Sequence, residues 1–581
     1  LILLCAYWGY LFFVFAAAGG LTIRLMSLGT DQQPPISINM LVWLGVAAIT
    51  MVCIAYNLFL PITASFHLAV VILLSLWLII DRKSSWAIYR SCLFYGLQEP
   101  HTWEWIRRSR RAFIRTAAMA AIVSLAGLYT AGFSTGYETG YDTDLYHAQS
   151  VQWAKKYAAV PGLGNIHLRL AFNNASFLTA AFFDVYRFKN KSYHVFNSFL
   201  FVVVAGMLFY RLVNLLLGEF CLTNTFSAVV LFYLLHYTHT VNSLSPDVTV
   251  TLLTISLAVL FLDILDQRKT ELLPHGFLLI CFGITVKLSM VPFILLPVFT
   301  GFHFLKNGKR VTSHPIVFTG TGMLRYAVPG SLILVPWIIR GIILSGYLLW
   351  AFPAVDLLHV DWKVPKSYVT GELAWIRSWA WAPGTSPPKF AAKSRWFWLL
   401  YWTKAHRQLL YRLGIFASAN VILGALFRDR YLKIIRKIWP ACLVLFLGLL
   451  FWFVNAPDVR FAAGYLFCAK SLLLALPLSV CKGQLQKIVQ FSAVLFILFT
   501  SMHLMIQNLP KARQSTQPLP AYKKFPITEY VFPSGLRVNL TVEPEDRCGN
   551  ADIPCMPFHY KDFEIVMRGK DLQRGFRRLL H

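Results

Sequence analysis

The chain has 581 residues, of which 57% are hydrophobic and only 14% charged, with a mean hydropathy of +0.56. That balance excludes a water-soluble globular chain and points to a polytopic α-helical membrane protein. The formal net charge is +28, but lysine and arginine fall mostly in short loops between apolar runs, as in loops facing an anionic leaflet, so no nucleic-acid partner is expected.

Apolar runs near the ~20 residues needed to cross a bilayer recur at 2–23, 39–58, 61–80, 112–133, 193–216, 223–242, 248–265, 276–289, 290–305, 324–348, 408–427, 438–455, 461–481 and 487–507, about fourteen in all. The chain opens on Leu1, so a few upstream residues are expected. Leu1 to Ala18 lacks a basic start and reads as a span, not a cleaved signal. The pair at 276–305 is broken by Lys287 and Pro292, as two half-length or tilted helices meeting at a membrane face.

Basic residues orient these spans. Arg82 to Arg115, Arg268 with Lys269, Lys306 to Arg310, Arg428 to Lys437, and Lys482 with Lys487 all fall on one side, assigned as cytoplasmic. The loop 134–192, the turns at 243–247, Lys287 and 455–460, the loop 349–407 and the tail 508–581 fall on the other. The plan is three regions. Residues 1–111 form a three-span extension with an amphipathic cytoplasmic linker, in which Trp86, Tyr89, Leu93, Trp103 and Trp105 interleave with arginine. Residues 112–507 form the main transmembrane domain, and 508–581 a small extracytoplasmic domain.

Within the loop 134–192, Asp144 to Tyr157 carries an incomplete helical pattern, and Pro161-Gly162-Leu163-Gly164 turns the chain. The loop 349–407 holds Trp350, Trp362, Trp375, Trp379, Trp381, Trp396, Trp398 and Trp402. Indole rings anchor at membrane interfaces, and they also stack on sugars. The tail shows strand-like runs at 530–532, 536–542 and 563–567. Eight cysteines lie in or near spans and act as small apolar residues. Cys548 and Cys555, with six residues between them in the exported tail, read as a disulfide. His559 is nearby, but the set is too small for a zinc site.

The most informative stretch is Gly140-Tyr141-Asp142-Thr143-Asp144-Leu145-Tyr146-His147, which follows the span 112–133. Acids beside a membrane face are costly unless hydrated, paired or bound. Asp247, Lys287, Arg340 and Arg460 reach the same face from later spans, so one polar cavity is expected. A carboxylate there can act as general base, and arginine and lysine can hold a phosphate. Plainer roles stand beside these. The acids suit helix caps, Lys287 can snorkel, Arg460 can pair with Asp458, and His147 can be a polar loop residue.

The segment Asp142-Thr143-Asp144-Leu145-Tyr146-His147, followed by an interfacial helix, resembles the acidic motif of the GT-C superfamily of polytopic membrane glycosyltransferases. Pro457-Asp458-Val459-Arg460-Phe461 and the Cys548 to Cys555 segment resemble a bacterial membrane-protein family within that group. The resemblance covers about Ala112 to Met505. It implies a multi-pass enzyme of the plasma (bacterial inner) membrane with an extracytoplasmic active site. Such an enzyme would transfer a sugar, with inversion, from a polyprenyl-phosphate donor to a glycan, lipid or protein acceptor. Asp142 would be the base and Asp144 would orient it or help bind a divalent cation. Lys287, Arg340 and Arg460 would hold the donor phosphate, while His147 and Asp247 would contact substrate. The chain departs from the pattern in two ways. Three extra spans precede the motif, and Asp-x-Asp replaces Asp-Glu, which leaves open which acid is the base. A transporter or flippase of lipid-linked saccharide, or a non-catalytic scaffold within a larger membrane complex, are the alternatives.

Overall fold

The computed structural model describes residues 2–28, 36–93, 110–137, 140–306, 320–393, 396–480, 519–557 and 563–580, with parts of 488–508. The chain is a helical membrane protein with a small strand-bearing C-terminal region. Among the described residues, nine helices are long and apolar enough to cross a membrane. Shorter apolar helices cover 119–134, 222–236 and 270–286, and helix 64–80 bends by 95° into helix 82–92. The run 487–507, most of the linker 81–111, the basic residues 309, 310, 482 and 487, and Cys481 and His559 lie partly or wholly outside the described residues.

Helix starts follow local chemistry. Ser37 and Thr63 cap Ile38–Asn57 and Ala64–Ile80 through their side chains. Pro246 opens Pro246–Gln267, with Ser245 accepting from the Asp247 amide. Three boundaries differ from the sequence expectation. The run 223–242 stops being α-helical at His236, where 238–240 tightens into a 3-10 turn. The run 290–305 is a 3-10 stretch, Leu288–Ile294, before Leu295–Lys306, because Pro292 cannot donate to an α-helical ladder. The run 438–455 begins at Arg428, since the basic turns ahead of it continue the same helix.

The outward face of Arg407–Leu426 exposes Leu410, Ile415, Val421, Ile422 and Leu426, as expected of a helix solvated by lipid. Helices Ile2–Met26 and Ile38–Asn57 cross closely. A Cβ on Gly19 would lie 2.0 Å from the Leu41 carbonyl oxygen, and one on Gly45 would lie 1.8 Å from that of Phe15. Toward the end that bears the basic loops, Arg211 and Asp263 form a buried ion pair.

The C-terminal region is built on the loop 134–192. Strands β1 (Ile527–Val531) and β2 (Arg537–Thr541) pair antiparallel, and β3 (Cys555–Met556) joins β2 in parallel. Strands β4 (Phe563–Met567) and β5 (Phe576–Leu580) form a second antiparallel pair. β3 and β5 were not foreseen from the sequence. Cys548 and Cys555 are joined by a disulfide. Trp153, Val160, Leu163, Ile166 and Leu170 of the loop share one buried cluster with Val538, Met556, Ile565 and Phe576 of the tail. The tail's larger buried cluster is therefore shared with the loop, and only Cys548, Ala551 and Cys555 form a small cluster apart from it among the described residues. Backbones also meet: the Phe576 amide donates to the Pro161 carbonyl at 2.9 Å. Gly162 and Gly575, both with positive φ, sit at this crossing. A Cβ on Gly162 would fall 2.2 Å from the Phe576 oxygen, and one on Gly575 would fall 2.1 Å from the Pro161 oxygen.

These contacts put the loop and the tail on one side. Single cysteines introduced in 148–170 and in 527–541 are expected to react with an impermeant maleimide from the same side, opposite residues 82–93. Labelling from opposite sides would refute this topology. Phe576→Ala is expected to destabilise the shared core by about 3–5 kcal/mol. Hydrogen exchange should then rise in 148–170 and in the tail together, not in the tail alone.

Candidate functional site

The polar site begins where helix Arg110–Ser134 ends. Residues Thr143–His147 form one turn of π-helix that runs into helix Ala148–Lys156, a geometry frequent at functional positions. Residues two apart on such a turn point roughly 160–200° from each other. Asp142 and Asp144 accordingly face different surroundings. Asp144 faces the tail: its carboxylate lies 3.7 Å from Lys523 Nζ, and its carbonyl accepts from the Gly549 amide at 2.7 Å. Burial raises its carboxyl above the ordinary range, with Lys523 and Arg547 opposing. The two acids do not share a cation pocket. Among the described residues, no cluster of three or more His, Cys, Asp or Glu is arranged to hold a metal.

Asp142 faces the helix ends and is bound on both oxygens. Arg169 Nη1 donates to Oδ1 at 3.2 Å, and Arg460 Nη1 donates to Oδ2 at 3.1 Å. Arg460 Nε lies 3.2 Å from Asp247 Oδ2, and Asp247 also pairs with Lys287. At the other end, Arg169 Nε lies 3.4 Å from Glu372 Oε1. The result is a line of six charges that alternate in sign: Glu372, Arg169, Asp142, Arg460, Asp247, Lys287. Burial alone would raise the Asp142 carboxyl, but His147 and the Arg460 and Arg169 charges together outweigh it and hold it below its ordinary value. Glu372 is buried and is raised above its ordinary value by that burial, with Arg169 opposing.

Aromatic faces complete the site. Lys287 Nζ sits 3.8 Å above the Phe461 ring, and the Arg460 guanidinium lies 5.1 Å from Trp379. The turn carrying Arg460 is fixed by its neighbours. The Asp458 carboxylate accepts from the Arg460 amide at 2.7 Å, Trp402 Nε1 donates to the Pro457 carbonyl, and Trp452 Nε1 donates to that of Asp458. Asp458 thus acts as a cap and leaves the Arg460 guanidinium to Asp142 and Asp247. The Arg460 side chain is 42% exposed against 7% for Asp247, so the line opens outward at Arg460.

His147 is buried directly behind Asp142, with Nδ1 3.3 Å from Thr143 Oγ1 and Nε2 without a hydrogen bond among the described residues. Burial pushes its imidazole down to about 3 against the pull of Asp142, and burial does the same to His167. Arg340 does not join the line. It donates to Asn57 Oδ1 at 3.2 Å and to Asn173 Oδ1 at 2.7 Å. Asn173 is itself locked to helix Gly320–Ser345 by reciprocal bonds with Trp337. Arg340 therefore fastens the 134–192 loop to a span.

Asp142, Asp247, Lys287 and Arg460 are brought together as the sequence led us to expect. Arg169, Glu372 and Trp379 were missed as site residues. One signal was present: Glu372 and Trp379, seven residues apart, share a face of helix Lys366–Trp381. Arg169 stands in the apolar stretch Leu168–Phe172, where a charge is costly without a partner.

Two buried neutral histidines give a pH signature. Their folded pKa lies below the unfolded value of 6.5, so the unfolded chain binds more protons between about 3 and 6.5. Their stability contribution is full above 6.5 and is lost as the pH falls toward 3, by at most about 1.4 kcal/mol per pH unit for each histidine. Asp144 and Glu372, raised by burial, act in the opposite sense. His147→Gln is therefore expected to flatten the fall in melting temperature on acidification below pH ~6.5, relative to the parent protein. An unchanged slope in a thermal-shift series would refute the buried neutral state.

Comparison with known proteins adds one match. No curated protein and no solved structure matches the chain. A family model described as a domain of unknown function, DUF8201, matches residues 1–467, a stretch that holds all six charges of the line and stops short of the tail. The chain belongs to the DUF8201 family.

Proposed function

We propose that the protein is a GT-C-like glycosyltransferase of about fourteen spans in the bacterial inner membrane. It would transfer a sugar from a polyprenyl-phosphate donor to an acceptor outside the cytoplasm, with inversion. The observation that carries this reading is the outward-opening line in which Asp142 lies beside two arginines at the helix ends, next to the exposed indole of Trp379. A site at span termini suits a lipid carrier whose phosphate lies at the membrane face and whose chain lies in the bilayer.

In this mechanism Asp142 takes the acceptor hydroxyl proton. The acceptor oxygen bonds to the anomeric carbon from the face opposite the leaving group. The bond from that carbon to the phosphate oxygen breaks, and the lipid phosphate leaves with the electron pair. Lys287 and Arg460 would bind the donor phosphate and stabilise the charge that develops on it. Drawing Arg460 toward phosphate would also remove one of the two cations that hold Asp142 in its weakly basic state. Arg340, bonded to two asparagines, is a loop anchor in this scheme and not a donor contact. Asp144 supports the loop from the tail side.

Asp142→Asn is expected to lower single-turnover transfer from a polyprenyl-phosphate sugar by ~10²–10⁴-fold while donor binding persists. Arg460→Ala is expected to weaken donor binding chiefly, and Asp144→Asn to cost less than Asp142→Asn. Near-normal turnover by Asp142→Asn would defeat the assignment of the base. If both aspartate variants turn over normally, the catalytic centre lies elsewhere; if the parent protein transfers no sugar, the glycosyltransferase reading itself fails.

A further inference from the structure

Each arginine beside Asp142 is shared with a second acid. Arg460 is shared with Asp247, which also has Lys287. Arg169 is shared with Glu372, which comes from the loop 349–407 and is 8% exposed. The Glu372 oxygen nearest Arg169 is 3.4 Å away. The same helix face that carries Glu372 carries Trp379, which lies over Arg460. Helix Lys366–Trp381 thus touches both guanidiniums that bind Asp142.

We propose that Glu372 is a positioning residue for Asp142: by taking a share of Arg169, it leaves Asp142 a stronger base than two undivided guanidiniums would. The proposal rests on the reading of Asp142 as the proton acceptor. Its physical basis is that two carboxylates bridged by one cation compete for it, and each makes the other harder to ionise. The charged and titratable groups around Asp142 are accounted for by element. Tyr141, Tyr146 and His147 belong to its own segment, and Arg169 comes from the 168–172 turn. Arg460 comes from the 459–462 turn, and Asp247, Lys287 and Glu372 stand behind the two arginines. His147 also acts on Asp142 and favours its ionised form, while Asp142 raises Glu372; the coupling between the acids is the part that changes with Glu372.

The test uses the full-length protein in lipid nanodiscs. A water-soluble carbodiimide with glycinamide amidates protonated carboxyls, and peptide mass spectrometry reads each site across a pH series from about 3 to about 7. In Glu372→Gln, which keeps the shape and removes the charge, the Asp142 midpoint is expected to fall by roughly half a unit or more. In Glu372→Asp, which keeps a charge, it should lie nearer the parent value. In Asp142→Asn, the Glu372 midpoint should fall by a comparable amount, because coupling is reciprocal; this arm stands even if the Glu372 variants do not fold. An Asp142 midpoint that stays or rises in Glu372→Gln, or a Glu372 midpoint indifferent to Asp142→Asn, overturns the proposal. The labelling needs no substrate, so it is independent of catalysis. Shifted midpoints together with sugar transfer by Asp142→Asn would keep the coupling and discard Asp142 as the base.

Discussion

A carboxylate held at a membrane face must be met by positive charge, and the pairing of Asp142 with Arg169 and Arg460 is the constraint around which this side of the molecule is arranged. Taking an ion out of water costs several kcal/mol unless partners replace the lost solvation. The chain meets that cost by alternation, so that each interior charge of the line has a neighbour of opposite sign on both sides. The six residues come from five separate connections and helix ends. Their electrostatics therefore also decide which loops lie together. Removing one member leaves each neighbour desolvated and one partner short, which is a larger penalty than the loss of one surface ion pair.

The bilayer half prepares this arrangement with ordinary devices. Pro246 and Ser245 start a span so that Asp247 stands in its first turn. The Asp458 cap and two indole donors hold the turn from which Arg460 projects. Tyr465 donates to the Ser289 carbonyl at 2.8 Å and ties the Arg460 turn to the segment that follows Lys287. These backbone fixings leave the charged side chains little freedom, and preorganised charge is worth more than mobile charge when a new charge develops nearby.

Much of this was legible before any coordinates. Span-length apolar runs, the side preference of lysine and arginine, and the spacing of Cys548 and Cys555 are local properties of the sequence. The convergence of Asp142, Asp247, Lys287 and Arg460 follows from topology, because residues at corresponding ends of spans lie at one depth. What was not legible depends on how loops cross. Arg340 has the depth of a site residue, but two asparagines claim its guanidinium. Asp144 is close to Asp142 in sequence yet faces Lys523, because two residues of helix turn a side chain nearly about. The tail carries turn and strand signals that suggest an independent unit, and no local pattern reveals that its main core is supplied in part by residues 153–170.

That shared core also bears on how the chain is made. Asn165 Nδ2 donates to the Phe576 carbonyl across 411 residues of sequence. At translation rates of 5–20 residues per second, roughly 20–80 s separate the synthesis of these two partners. During that interval the inner face of the loop, with Trp153, Leu163 and Ile166, lacks its cover. Asp142, Arg169 and Asp247 are synthesised long before the strand that finishes the support of their loop. Completion of the site's support is thus tied to β5, so a chain cut short before residue 519 would carry the whole charged line on an unfinished foundation.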